Sequence, residues 1–146
     1  MIVYHDAQVS RQAAVLAASL AKKSGHIGHA RDGLIVLKPG ANSQGLSLLG
    51  VKPASQIDWT TIKAVISFGE MLPEACTQNA EFLAVQDVYL TDTAGRADVV
   101  LPGSIFAETD GTYLSAQRKL GVVRKAFRPL CGFEGWQMIQ ALANVC

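Results

Sequence analysis

The chain predicts an α/β domain: a Rossmann-like, mostly parallel sheet flanked by helices, with a C-terminal hairpin or arm and a final helix. Three observations predict it. Short apolar runs at Ile2–His5, Leu34–Leu37, Ala64–Phe68, 82–85 and 99–101 recur along the first hundred residues. Such runs suit strands buried inside a parallel sheet. Between them lie helix-period segments and polar links, the alternation that builds βαβ units with right-handed crossovers. With 146 residues the chain is long enough for one ordinary domain with its own core. Residues 1–146 are therefore read as a single α/β domain, with 103–146 as its exit arm and terminal helix.

The elements follow in order. After the first run, residues 8–23 place Val9, Ala13, Leu16, Ala17 and Leu20 at helical spacing, which predicts an amphipathic helix with that face inward. Ser24 and Gly25 end it, with Lys22 and Lys23 suitably placed in the last turn. Residues 26–33 form a polar, glycine-containing link before the second run. Residues 39–50 read as a loop, with Gly40, Asn42, Ser43 and Gly45 as turn formers. A helical turn is expected at 59–63 and a short helix at 73–79. After Pro102 the pattern changes: 112–115 and 120–125 predict the hairpin or arm, and Gly111 a tight turn with positive φ. Residues 133–144 predict the final helix, with Trp136, Ile139, Gln140 and Ala143 along one face.

Composition narrows the function. Hydrophobic residues make up 49% and charged residues 17%, and the net charge is +1. That balance carries no electrostatic footprint for nucleic acid or a membrane surface. No apolar run reaches the roughly 18–20 residues of a membrane helix. The N-terminus MIVYHDAQ lacks the basic and apolar regions of a signal peptide. A cytoplasmic location is expected, without direct membrane insertion. Cys76, Cys131 and Cys146 show no C-x-x-C spacing and do not make up the four-ligand set of an iron–sulfur cluster or structural zinc. They read as free thiols in a reducing compartment. His5, His26 and His29 are scattered, and no metal site is expected. There is no G-x-G-x-x-G, P-loop or G-x-S-x-G motif. Lys119, Arg124, Lys125 and Arg128 read as a solvated basic face.

Ligands of open α/β sheets sit at the carboxyl ends of strands, and Gln86 and Asp87 directly follow the fourth run. A carboxylate there can accept paired hydrogen bonds from the N1–H and N2–H groups of a guanine. Its other reading is the cap of a short helix starting near Leu90. Asn42, Ser43, Gln44 and Gly45 offer backbone N–H groups and short polar side chains suited to cradling phosphate, or form an ordinary polar loop. Gly69, with Glu70, follows the third run as a ligand loop would. Asp98 is expected to cap backbone groups or pair with Arg96, and Glu108, Asp110 and Thr112 to be structural.

Residues 86–113, QDVYLTDTAGRADVVLPGSIFAETDGTY, resemble the molybdopterin oxidoreductase family from its "QD…T.TA..ADVVLP" segment to its "E..GT" segment. Ala41, Asn42, Ser43, Gln44 and Gly45, with Gly50 and Val51, resemble the family's "aNsqG…G" loop. Residues 136–142 sit where it has a "W.ii..la" helix. The family includes formate dehydrogenases, nitrate reductases and the large iron–sulfur subunit of NADH dehydrogenase. The resemblance implies one of the two dinucleotide-binding-like domains of such an enzyme. It implies that Asp87 reads the guanine of a molybdopterin guanine dinucleotide and that Thr91 contacts the cofactor. By the same resemblance, residues 42–45 lie on the cofactor face. Gly69 and Gln86 complete the candidate set.

The family's cysteine-rich cluster segment, β-barrel and metal ligand are not in this sequence. No catalytic residue and no iron–sulfur cluster are therefore expected in it. Residues 112–119, TYLSAQRK, stand where the family often has Asn and Gly-Arg. The resemblance thus implies a domain or split subunit of an electron-transfer oxidoreductase, formate dehydrogenase-like or NADH dehydrogenase-like. Its partners would be other domains or subunits of the complex. Alone it would be inactive and prone to self-association. The alternatives are a cofactor-free structural or assembly module of an NADH dehydrogenase- or hydrogenase-type complex, and a free-standing nucleotide-binding domain.

Overall fold

The computed structural model of the chain describes residues 1–29 and 32–145. Ala30 and Arg31 of the polar link, and the Cys146 thiol, lie outside the described residues. In chain order the strands are β1 (Ile2–His5), β2 (Leu34–Leu37), β3 (Ala64–Phe68), β4 (Phe82–Asp87), β5 (Val99–Pro102), β6 (Gly111–Leu114) and β7 (Leu120–Val123). The helices are α1 (Arg11–Lys23), α2 (Ser43–Leu48) and α3 (Gly135–Ala143). The chain forms two compact units, Met1–Lys52 with Thr112–Val122, and Pro53–Gly111 with Val123–Cys146. The fold is α/β with parallel sheets, as the alternating runs predicted.

In the first unit β1 pairs in parallel with β2, Ile2 opposite Leu34 and His5 opposite Leu37. The helix between them starts at Arg11, later than the pattern suggested. A 3-10 turn, Asp6–Gln8, comes first, and Ser10 then caps α1 by accepting Ala13 N–H at 3.2 Å. Such a cap satisfies one of the donors that a helix start leaves without a partner. The end is as predicted, with Lys22 and Lys23 in the last turn and Gly25 at φ +69°. The inward face is not. Ala14, Ala17 and Ala21 turn inward, whereas Leu16 and Leu20 are 69% and 61% exposed.

The expected loop at 39–50 contains α2, with Asn42 at the N-cap position and no side-chain cap bond. The predicted hairpin is present as β6 paired with β7. Its turn contains Arg118 at φ +59°. Gly111 does not take the positive φ expected of it; it opens β6 as extended, paired backbone.

In the second unit β4 is the central strand of a parallel sheet ordered β3-β4-β5. Val65 stands opposite Leu83, and Val85 opposite Val100. One face builds the core: Val65, Leu83 and Val85 with Ala94, packed by Trp59, Ile62, Leu72, Ala80 and Ala97. The expectation of strands buried on both faces holds only for β4. In β3 burial alternates, and β5 is largely exposed. The helix expected at 73–79 is a 3-10 turn, Glu74–Cys76, and 59–63 is turn without helix. Asp98 holds β4 from below: its Oδ2 accepts Leu83 N–H at 2.8 Å and its own N–H donates to Leu83 O at 2.8 Å. Thr93, fully buried, accepts Leu72 N–H at 2.9 Å through Oγ1.

The residues of α3 that turn inward lie beside the face traced by Trp136, Ile139, Gln140 and Ala143. Met138 and Leu142 are partly buried, while Trp136 and Ile139 are about half exposed, 50% and 48%. The Trp136 indole N–H is drawn sideways to Glu134 Oε2, 2.9 Å away. No helix among the described residues is long and apolar enough to cross a membrane.

Candidate functional site

The carboxyl ends of β3, β4 and β5 form a crevice in the second unit. Each flanking strand leaves the sheet through a glycine. Gly69, at φ +64°, donates its N–H to Gln86 O at 2.7 Å. That left-handed conformation is one a glycine adopts without steric cost. Gly103 donates to Asp87 O at 2.8 Å. Here close approach is the reason for glycine: a methyl group would stand 2.8 Å from the Asp87 carbonyl carbon. The two exits thus hug the end of β4 and leave a hollow of about 160 Å³. Its lining includes Phe68, Gln86, Asp87, Ser104, Thr109 and Gly135, and among the described residues no lysine or arginine.

Asp87 ends β4 and is partly buried. Its Oδ1 accepts Val88 N–H at 2.7 Å and Tyr89 N–H at 3.4 Å. The carboxylate therefore caps its own turn, not a helix at Leu90; the next helical turn is Ala94–Arg96. Among the described residues Oδ2 has no hydrogen-bond partner, so one oxygen fixes the rotamer and the other is open. Gln86 is 3% exposed, and its Nε2 donates to Pro102 O at 3.1 Å. Behind it, Ser104 Oγ accepts Gly135 N–H at 3.2 Å and lies 3.0 Å from Thr109 Oγ1. A pocket holding one carboxylate and no cation repels phosphate and suits a neutral group that presents N–H donors.

Of the predicted residues, Gly69, Gln86 and Asp87 meet in this hollow. Thr91 does not line it; its Oγ1 accepts Ala94 N–H at 3.3 Å. Asn42, Ser43, Gln44 and Gly45 belong to the first unit. There Ser43 Oγ accepts Gly40 N–H at 3.1 Å, and Asn42 Oδ1 accepts Leu114 N–H at 3.0 Å. Gln44 reaches a separate hollow of about 240 Å³, lined also by Leu37, Lys38, Gly40, Leu114 and Ala116. Gly103, Ser104, Thr109 and Gly135 were missed by sequence reasoning. Gly103 had a usable signal: it follows an apolar run as Gly69 does.

The basic cluster requires a correction. Lys125 is not simply solvated. Its Nζ lies 2.5 Å from Glu134 Oε1 and 3.7 Å from Asp110 Oδ2. Glu134 also accepts Asp110 N–H at 2.9 Å. The Lys125 ammonium, the Trp136 indole N–H and the Asp110 amide together hold the Glu134 carboxyl down at about 2. The same carboxylate raises Lys125. These bonds tie the two stems of the β6–β7 arm together. Among the described residues no three His, Cys, Asp or Glu side chains are grouped to hold a metal ion.

The family model described as molybdopterin oxidoreductase matches residues 3–145. The alpha subunit of an F420-dependent formate dehydrogenase from Methanocaldococcus jannaschii is 44% identical over 72 residues, covering 49% of this chain and 11% of that protein. A putative formate dehydrogenase of Staphylococcus aureus is 42% identical over 72 residues, 49% of this chain and 7% of its own. The alpha subunit of F420-dependent formate dehydrogenase 2 from Methanococcus maripaludis is 39% identical over the same share, covering 11% of that protein. The chain thus spans at most 11% of the length of these relatives.

Proposed function

The chain belongs to the molybdopterin oxidoreductase family, and from that premise we propose that it is a cofactor-holding piece of a formate dehydrogenase-like enzyme. In this reading the crevice at the ends of β3, β4 and β5 receives the guanine of a molybdopterin guanine dinucleotide. The observation that carries it is Asp87: a carboxylate locked by its own turn, one oxygen unpaired among the described residues, at a hollow whose described lining holds no lysine or arginine. A guanine presents adjacent N–H donors, and a carboxylate accepts such a pair through charge-assisted bonds. Gly69 and Gly103 let backbone approach the base from both sides, and the amide of Gln86, fixed on Pro102 O, forms the inner wall.

When bound, the molybdopterin carries the metal and the redox chemistry. This chain's share is to bind and orient the nucleotide end. The metal ligand and the onward electron path would come from other domains or subunits of a cytoplasmic complex. Of residues 42–45, Gln44 is the side chain that lines a hollow of the first unit.

Calorimetric titration of the chain with GMP and with AMP tests the assignment. GMP should bind more tightly, and Asp87→Ala should weaken GMP about 30-fold, the scale of about 2 kcal/mol for hydrogen bonds to a charged group, while leaving AMP unchanged. Equal, weak binding of both nucleotides, indifferent to Asp87→Ala, would remove the proposal. It would favour the second reading, a cofactor-free structural or assembly module of an NADH dehydrogenase- or hydrogenase-type complex. One observation supports that alternative: the Thr91 hydroxyl and the Asn42 oxygen are already bonded within the chain.

A further inference from the structure

The stretch expected to cradle a ligand in the first unit is occupied from within. Asn42 stands at the N-cap of α2, where its side chain would ordinarily cap the helix. It makes no cap bond there. Its Oδ1 turns instead to Leu114 N–H of β6, 3.0 Å away and 72 positions along the chain, in a partly buried bond. Gly45 lies inside α2 without a positive φ, so backbone conformation does not explain its being glycine. Space does. A methyl group on Gly45 would overlap Asn42 Oδ1 and stand 3.1 Å from Asn42 Cγ. The room left by the missing side chain is taken by the amide that holds the arm. Leu114 and Ala116 of that arm then form one wall of the hollow whose other walls include Leu37, Lys38 and Gln44.

We propose that Asn42 is a positioning residue, a latch that seats the β6–β7 arm beside the end of β2, and that Gly45 is glycine to leave room for that latch. Two observations of different kinds carry this: a hydrogen bond across the fold, and a steric gap filled by the same oxygen. The inference concerns the first unit alone and does not rest on the guanine assignment, whose residues lie in the second.

The test is amide exchange at Leu114, read by NMR in the full chain. Asn42→Ala should speed that exchange about five- to tenfold, the scale of one net hydrogen bond. It should also hasten tryptic cleavage after Arg118. Asn42→Asp keeps an acceptor oxygen in place and should retain the protection, whereas Asn42→Leu, which keeps the bulk without an acceptor, should lose it; a merely space-filling role predicts protection in both. Gly45→Ala should open the arm in the native background. In the Asn42→Ala background the same change should instead be neutral or stabilising, because the overlap is gone and Ala outranks Gly in a helix. Unchanged Leu114 exchange in Asn42→Ala, or one and the same effect of Gly45→Ala in both backgrounds, would overturn the latch.

Discussion

Replacing Gly103 by Ala should disturb the crevice through backbone alone. The new methyl group would stand 2.8 Å from the Asp87 carbonyl carbon, 3.1 Å from Asp87 O and 3.1 Å from Val88 N. Carbon–carbon contacts settle at about 3.5–4.0 Å, and none of these partners is a flexible side-chain end. The β5 exit must therefore shift by about 0.5–1 Å, lengthening the 2.8 Å bond from Gly103 N–H to Asp87 O. Overpacking costs about 1–3 kcal/mol and a weakened hydrogen bond about 1 kcal/mol. The smaller entropy of the unfolded alanine chain returns about 0.4–1 kcal/mol. The net is about 1–4 kcal/mol, or a fall in Tm of roughly 3–15 °C for a chain of this size.

Thermal unfolding followed by circular dichroism measures this fall. Gly95→Ala is the control, since a methyl group there meets nothing within 4 Å and the backbone has no positive φ. It should leave Tm unchanged or slightly higher. If Gly103→Ala unfolds at the same temperature as Gly95→Ala, the close approach of the β4 and β5 exits is not a constraint, and the argument for the crevice's shape fails with it.

Other perturbations separate further contacts. Thr93→Val keeps the side-chain shape but strands Leu72 N–H. It should cost about 1–3 kcal/mol in urea unfolding, and an unchanged midpoint would speak against the bond. The Glu134 carboxyl is lowered from 4.5 to about 2 on folding, so its contribution is fully present above pH 4.5 and is lost as pH falls toward 2. Urea titrations across that window should show the gap between the native chain and Glu134→Gln closing on acidification; a gap that persists would contradict the pairing with Lys125. Leu16 and Leu20 stand exposed on α1, and such patches favour association. Sedimentation should show self-association at high concentration that is reduced by Leu16→Gln with Leu20→Gln; identical behaviour of both proteins would place the contact elsewhere.

The strands β1, β2 and β3 end where their apolar runs end, because a strand's wish for burial is written in adjacent residues. Gln86 and Asp87 likewise stand at the carboxyl end of β4, where an apolar run before them predicts a strand's end, and Gly69 follows β3 as a glycine after a run does. Helix faces were a different matter. Periodicity announced that α1 and α3 each have an apolar side. Yet on α1 Ala14 and Ala21 turn inward beside the expected Ala17 while Leu16 and Leu20 stay exposed, and on α3 Met138 and Leu142 are partly buried while Trp136 and Ile139 are half exposed. Partnering was hidden too. Asn42 looked like a loop residue until Leu114 met it, and Lys125 looked solvated until Glu134 and Asp110 closed on it. Local patterning settles which segments become strands and helices, since propensity and turn chemistry act over a few residues. Which surfaces are covered, and which polar atoms remain open to a ligand, is settled only when distant segments meet, because burial and hydrogen-bond satisfaction belong to pairs of surfaces and not to either one alone.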